Sequence, residues 1–309
     1  MTPRDAPRLK VLYPDDLGLR VPADAPDLDL VPYSPERPWP SEHLDAAVVV
    51  VGFENAEAIG ARFGELPELR LVQTLNAGYE QWLPHLPDGV VLSNGRGAHG
   101  GSSAEWVVAA LLAIYRELAS FRERQAAGVW RPRDTETLIG KRIVILGAGD
   151  LAANLAARLA PFETEVTLVG RHARPGVIAL DDVGEVLPSA DAVVAMLPGT
   201  EATHHLIDAA FLSRLRDGAV VVNVGRGGAV DTDALLAELT AGRLRAALDV
   251  TEPEPLPAGH PLWSAPGLLL TPHVAGSTEG AWDRAWRIAL HQIDVFAGGG
   301  RPPNQVAGP

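Results

Sequence analysis

The chain has 309 residues, 47% hydrophobic and 21% charged, with a net charge of −13 and no cysteine. At roughly 150 residues per domain, this length suggests two domains. The acidic balance argues against nucleic acid or an anionic membrane as partner, and the missing cysteines exclude disulfides, thiolate zinc sites and a cysteine nucleophile.

The first ten residues, MTPRDAPRLK, lack the apolar stretch of a signal peptide. The longest aliphatic run, AAVVVV at 46–51, is far short of the ~20 residues that cross a bilayer. A cytoplasmic protein is expected. The first third holds short β-rich runs, RLKVLY, LDLVPY, AAVVVVG, LRLVQTLNAG and VVLSNG, broken by Pro, Asp and Gly. NAEAIGARFGELPEL, between two of them, reads as a helix.

SSAEWVVAALLAIYRELASFRERQAAG then predicts one long helix from Ser103 to Gly128. Ser102 or Ser103 caps it, and Glu105 sits in its first turn. Its apolar surface is too wide for one stripe, so it is either buried within a domain or packed on a second subunit. Strands follow in KRIVILGAG, EVTLVGR, DAVVAMLP, GAVVVNVGRG, LRAALDV and GLLLTPH, separated by helical stretches at DLAANLAARLAPF, near 205–216 and near 231–241. Runs of Val, Leu and Ala without polar alternation are buried on both faces, as in a parallel, doubly wound α/β sheet. A last helix, STEGAWDRAWRIALHQIDVFAGG, returns to the first domain, and the turn-rich tail GGGRPPNQVAGP is expected to fray.

Between RIVIL and DLAANLAARLA lie Gly147, Gly149 and Ala152, spaced G-x-G-x-x-A. Strand before and helix after is the context a dinucleotide fingerprint needs. Gly147 makes the tight turn, Gly149 lets backbone approach a pyrophosphate, and Ala152 allows close helix–strand packing. Free N–H groups at the helix start face the phosphates. Asp150 is awkward here, because it brings a carboxylate near them. An NAD site usually carries an acid about 20 positions further on, to hold the ribose 2′-OH. VTLVGRHARPG has none before Asp181 and offers Arg171, His172 and Arg174 instead. That suits a 2′-phosphate, so NADP(H) is preferred and NAD(H) possible; a solvated basic loop is the plainer alternative.

Three later strands end in loaded residues: Arg226 between glycines, Asp249 followed by Glu252 and Glu254, and His273 after Pro272. Pro272 stops its strand near Thr271 and leaves His273 at the rim. Pro255 biases Glu254 to extended backbone. Ligands of open parallel sheets sit beyond the carboxyl ends of the strands, so arginine, carboxylate and histidine there would bind an anion and move a proton. His99, His204, His205, His260 and His291 lack such context and are taken as structural. The pair His204–His205 is not read as a metal motif, since adjacent side chains diverge on a helix or strand. No metal is expected.

NAGYEQW, GRGAHGGSSAEWVVAALLAIYREL, LIGKRIVILGAGDLAANLAARL, LPGTEATHHLI, VVVNVGRGGAVDTDAL, AALDVTEPEPLPAGHPLW and TPHVAG follow one another over about residues 72–280. In that order they resemble the D-isomer-specific 2-hydroxyacid dehydrogenase family. Ala152 for the third glycine, Asp150 beside it, and GR in place of the acid depart from the family pattern. The resemblance implies two Rossmann-like domains with parallel doubly wound sheets and an active site in the interdomain cleft. Residues 1–100 and 277–309 would form a discontinuous substrate-binding domain, and 101–276 the dinucleotide-binding domain.

The resemblance also implies roles. Arg226 would bind the substrate carboxylate and keto oxygen, His273 would be the general acid–base, and Glu254 its partner, with Glu252 a rim residue. Asn76, Ala77 and Gly78 would hold the carboxylate through backbone N–H groups. Gly147, Gly149, Asp150, Leu151, Arg171 and Arg174 would line one part of the cofactor site. Leu197, Pro198, Val224, Gly225, Asp249, His273 and Gly276 would line the rest, with Asp249 facing the nicotinamide carboxamide. The expected reaction is hydride transfer between NADP(H) or NAD(H) and a small 2-keto acid such as glyoxylate or hydroxypyruvate. A guanidinium fork suits the charge that builds on the keto oxygen, and protonated His273 donates the proton. A homodimer through the helix near 103–127 is implied. The alternative is a nucleotide-sensing, peptide-binding scaffold of the same fold. A formate-type dehydrogenase would carry glutamine at Glu254.

Overall fold

The computed structural model describes residues 8–52 and 54–309. The opening seven residues, MTPRDAP, on which the signal-peptide reading largely rests, therefore lie outside the described residues. In chain order the strands and helices are β1 (Lys10–Pro14), β2 (Asp29–Tyr33), β3 (Val48–Val51), α1 (Ala56–Gly60), β4 (Leu71–Thr74), β5 (Val91–Ser93), α2 (Gly100–Tyr115), α3 (Leu118–Ala126), β6 (Arg142–Leu146) and α4 (Asp150–Leu159). They continue with β7 (Glu165–Gly170), β8 (Val177–Ala179), β9 (Ala192–Ala195), α5 (Ala209–Ser213), β10 (Val220–Asn223), α6 (Thr232–Thr240), β11 (Arg245–Leu248), β12 (Leu268–Leu270), α7 (Ala281–Ala297) and β13 (Gln305–Ala307). The chain divides into two compact units, one running to His99 and including Glu279–Pro309, the other Gly100–Thr278.

The first unit is a six-stranded sheet in the order β13-β5-β4-β3-β1-β2, parallel except for β13. All four valines of β3 are fully buried. That is why the run shows no alternation: both faces are covered. Trp286, Ala289 and Ile293 of α7 pack on one face. Ile59, Phe63 and Trp82 pack on the other. Full burial of each large apolar side chain is worth about 1.5–3 kcal/mol.

The second unit is an all-parallel seven-stranded sheet, β12-β11-β10-β9-β6-β7-β8. Val107 and Leu111 of α2, with Leu155 and Leu159 of α4, cover one face. Leu212, Leu235 and Leu239 cover the other. The chain leaves β6 for β7 and β8 on one side, then crosses to β9 on the other. The switch point therefore lies between the ends of β6 and β9, where an open α/β sheet binds its ligand.

Four expectations are corrected. The long helix is two: α2 starts at Gly100 and ends at Tyr115, and Glu117 adopts left-handed backbone (φ 51°) before α3. Ser103 is consequently buried inside α2 and does not cap it. An ion pair of Glu117 with Arg133, and a bond from Arg116 Nε to Thr135 Oγ1 at 2.9 Å, tie the break to the following segment. The predicted helix after Asn55 shrinks to α1, capped by Asn55 Oδ1 accepting from the amides of Glu57 and Ala58, then a short 3-10 turn. The helical stretch near 205–216 shortens to α5. The tail is ordered: β13 pairs antiparallel with β5, and Asn304 Nδ2 donates to the carbonyls of Asn94 and Arg96. Among the described residues no helix is long and apolar enough to cross a membrane.

Candidate active site

In the second unit the fingerprint turn follows β6 directly. Gly147 has φ 120°, and a Cβ there would come within 2.7 Å of the Met196 carbonyl oxygen. Only glycine holds this backbone without strain. Gly149 is the N-cap of α4 and has no heavy atom within 4 Å of where its Cβ would stand. Ala152 is 1% exposed in the contact between α4 and the sheet. Leu151, beside it, is half-buried.

Asp150 does not lean into this space. Its Oδ1 accepts from Asn154 Nδ2 at 3.1 Å, and its Oδ2 lies where a Cβ of Gly100 would be, at the start of α2. A carboxylate there faces the positive end of the α2 dipole. The absence of a side chain at Gly100 leaves the room that this carboxylate occupies.

The two arginines after β7 differ. Arg174 Nη2 donates to the Ala148 carbonyl at 2.8 Å, inside the fingerprint turn. Arg171 is exposed, and its side chain has no partner among the described residues. Leu197 and Pro198 follow β9, where Thr203 Oγ1 donates to the Pro198 carbonyl at 2.6 Å. Val224 and Gly225 follow β10, and a Cβ on Gly225 would sit 2.6 Å from the Leu197 carbonyl oxygen. The switch-point loops thus approach one another through glycine.

Arg226 follows Gly225. Asn223 fixes the turn by accepting from the Gly225 amide at 3.1 Å and donating to the Arg226 carbonyl at 2.8 Å. A Cβ on Gly227 would overlap the Thr251 carbonyl, so the loops after β10 and β11 touch. The Arg226 side chain passes over Gly199, its Cγ 3.2 Å from where a Cβ would be. Its Nη1 donates to the Gly225 carbonyl at 2.9 Å.

His273 and Glu254 meet. His273 Nδ1 lies 2.6 Å from Glu254 Oε1, and both side chains are roughly half exposed. His273 has φ 54°, unusual for a side chain of this size. Asp249 holds that conformation. It is 2% exposed, and its carbonyl accepts from the His273 amide at 2.7 Å. Its Oδ1 accepts from Thr271 Oγ1 and the Val274 amide, and its Oδ2 from the Ala275 amide, all within 2.9 Å. Asp249 is therefore the anchor of the His273 loop, a role the sequence reading missed; its one signal was an acid at the end of an apolar strand. Gly276, half-buried, follows the anchored segment.

Glu252 is more than a rim residue. His205 Nε2 lies 2.8 Å from its Oε2 and His204 Nε2 3.4 Å from its Oε1. The expectation that His204 and His205 diverge is wrong here. His205 takes left-handed backbone (φ 50°), and the two rings stack with centroids 4.0 Å apart.

In the first unit, Asn76, Ala77 and Gly78 follow β4. The carbonyls of Asn76 and Ala77 are taken by the Gly95 amide and Asn94 Nδ2, at 2.7 and 2.8 Å. Asn76 Nδ2 donates to the Gly52 carbonyl at 3.2 Å. The three amide N–H groups of this loop have no acceptor among the described residues. Two of the tryptophans, Trp82 and Trp286, are core residues, 0% and 1% exposed.

Residues 108–275 match the family described as D-isomer specific 2-hydroxyacid dehydrogenase, NAD binding domain. A glyoxylate/hydroxypyruvate reductase B of Citrobacter koseri is 31% identical over 258 residues, covering 76% of this chain and 77% of its own. A D-isomer specific 2-hydroxyacid dehydrogenase from Xanthobacter autotrophicus, solved with NADPH, superposes with a TM-score of 0.84 at 30% identity over 98% of both chains. An NADPH-dependent glyoxylate/hydroxypyruvate reductase from Sinorhizobium meliloti, solved with NADP and sulfate, gives 0.82 at 26% identity over 96% of this chain and 98% of its own.

Proposed function

This chain belongs to the D-isomer specific 2-hydroxyacid dehydrogenase family, and from that membership we propose that it reduces a small 2-keto acid, glyoxylate or hydroxypyruvate, to the D-2-hydroxy acid, with NADPH preferred over NADH. The bound nicotinamide supplies the hydride. The protein supplies the proton, the grip on the carboxylate and the charge facing the keto oxygen.

The pairing of His273 Nδ1 with Glu254 carries the proposal. With Nδ1 committed to the carboxylate, the proton that moves is the one on Nε2. Protonated His273 donates it to the oxygen as the alkoxide forms; in the reverse direction the neutral ring takes it back. Arg226 orients the carboxylate and stabilises the growing oxyanion with a planar fork that lysine lacks. The amides of Asn76, Ala77 and Gly78, in the first unit, are unsatisfied donors of a kind that suits a carboxylate.

The residues also fit a dinucleotide. Space beside Gly149 and free helix N–H groups suit a pyrophosphate. The open guanidinium of Arg171 suits a 2′-phosphate, and Arg174 braces the turn beneath it. Relatives of this fold solved with NADPH or NADP support the same preference. Asp249 would reach the nicotinamide carboxamide only in addition to the three donors it already holds.

A homodimer through the 103–127 region is part of the proposal. Leu118 (54% exposed), within it, and Trp130 (97% exposed), three residues beyond it, leave apolar surface that a second copy would cover. The deciding experiment is oxidation of NADPH and NADH with glyoxylate and hydroxypyruvate, with chiral analysis of the product. No turnover with any 2-keto acid would defeat the proposal.

A further inference from the structure

We propose that His204, His205 and Glu252 form a binding site for a divalent transition-metal ion of the zinc class, separate from Arg226, Glu254 and His273. The three side chains come from two loops of the second unit, 47 residues apart in sequence. Their ligating atoms all lie within 4.8 Å of one another. The two imidazole nitrogens sit 3.4 and 2.8 Å from different oxygens of one carboxylate. Nitrogen and oxygen ligands at about 2.0–2.2 Å from a zinc ion stand at most about 4.4 Å apart. Most of the required geometry is thus already in place, and a small splay of the stacked rings supplies the rest.

The backbone assembles the set. Left-handed His205 turns its ring to the same side as that of His204, and its amide donates to the Gly228 carbonyl at 2.7 Å. Thr232 Oγ1 donates to the Glu252 carbonyl at 2.7 Å and fixes the other loop. Gly228 is the floor. A Cβ there would stand 3.0 Å from Glu252 Oε1 and 3.2 Å from His204 Cδ2, so any larger residue would push the ligands apart. All three side chains are partly open to solvent, at 55%, 42% and 42%. Water can complete the coordination shell, and an ion can enter without unfolding anything.

The donor chemistry selects the ion. Two neutral imidazoles and one carboxylate carry a single negative charge. Imidazole nitrogen suits zinc, copper and nickel, whereas magnesium and calcium prefer all-oxygen shells. Occupancy would tie the loop after β9 to the loop after β11, two residues before Glu254.

The test is titration of the purified full chain with Zn²⁺ against a chromophoric chelator, in buffer free of imidazole and phosphate. One equivalent should bind. His204→Ala, His205→Ala and Glu252→Gln should each weaken it by at least about tenfold, which is the lower end of what even an outer-shell partner is worth to a metal. His273→Ala should leave binding intact. That variant separates this site from the neighbouring His273–Glu254 pair. Circular dichroism melts of the apo variants verify that they fold, and Co²⁺ substitution gives an absorption spectrum that reports nitrogen and oxygen ligation directly. Retention of the equivalent in all three variants, its loss in His273→Ala, or no binding by wild type would overturn the site and leave the cluster as a tether between two loops.

Discussion

His273 Nδ1 and Glu254 Oε1 stand 2.6 Å apart, although the two residues leave different strands, β12 and β11. The contact fixes which ring nitrogen is left for chemistry. His273→Ala should lower the rate of 2-keto acid reduction by about 10²–10⁴-fold, the usual worth of a positioned acid–base, while cofactor binding, followed by fluorescence titration, changes far less. Because the protonated ring is the donor, kcat/KM for reduction should fall as pH rises, and kcat/KM for oxidation should rise. Profiles with the same slope in both directions would remove His273 from the proton step.

Arg226 sits on a turn locked by Asn223, between two glycines that larger residues could not replace. Arg226→Lys keeps the charge and loses the fork. A drop of about 10²–10³-fold in kcat/KM is expected, comparable to losing one donor at an oxyanion. Wild-type kinetics in Arg226→Lys would show that the arginine is not at the substrate.

Much of this was legible in the chain. The strands of both sheets are Val, Leu and Ala runs because both their faces are buried, and Pro272 placed His273 just past β12. The fingerprint glycines stood between strand and helix, as the structure has them. What escaped depends on contacts distant in sequence or on single backbone angles. β13 lies in a proline- and glycine-rich tail, and its strand character comes from pairing with β5. The break between α2 and α3 falls among good helix formers, and only left-handed Glu117 marks it. The meeting of His204 and His205 on Glu252 turns on one φ angle at His205. The rotation of Asp150 toward Gly100 needs the α2–α4 contact, which linear spacing does not reveal.

Glu54 gives a pH-dependent prediction in the first unit. Burial, reinforced by the charge of Asp16, lifts its carboxyl above the ordinary value, although bonds from backbone amides, that of Gly52 among them, pull the other way. A carboxyl with a raised folded-state pKa contributes its stability below the unfolded value, and that contribution is lost as pH rises through the folded one. Glu54→Gln keeps an acceptor for Gly52 and removes the buried charge. Its melting temperature should exceed that of wild type at neutral pH, and the margin should vanish toward about pH 4, near the free carboxyl value. A margin equal at both pH values would mean that the carboxylate charge is not what destabilises the loop.

Arg171 and Arg174 should separate cleanly in cofactor binding. Arg174 already holds the Ala148 carbonyl, in a turn that NADPH and NADH share. Arg171 is exposed and has no side-chain partner among the described residues. The sequence from Arg171 to Leu180 holds no acid to accept from a ribose 2′-OH, and an acid there would repel a 2′-phosphate. A charge-assisted pair between Arg171 and that phosphate is worth about 1.5–3 kcal/mol, or roughly 10- to 100-fold in affinity. Arg171→Ala should therefore weaken NADPH by that factor and leave NADH nearly unchanged. Arg174→Ala, by loosening the turn, should weaken both by similar factors. Titration of both cofactors against wild type and the two variants, at one salt concentration, reads the four ratios. Equal losses of NADPH and NADH in Arg171→Ala would place that arginine on the shared part of the cofactor, and a wild type that prefers NADH would sink the assignment of the 2′-phosphate to this loop.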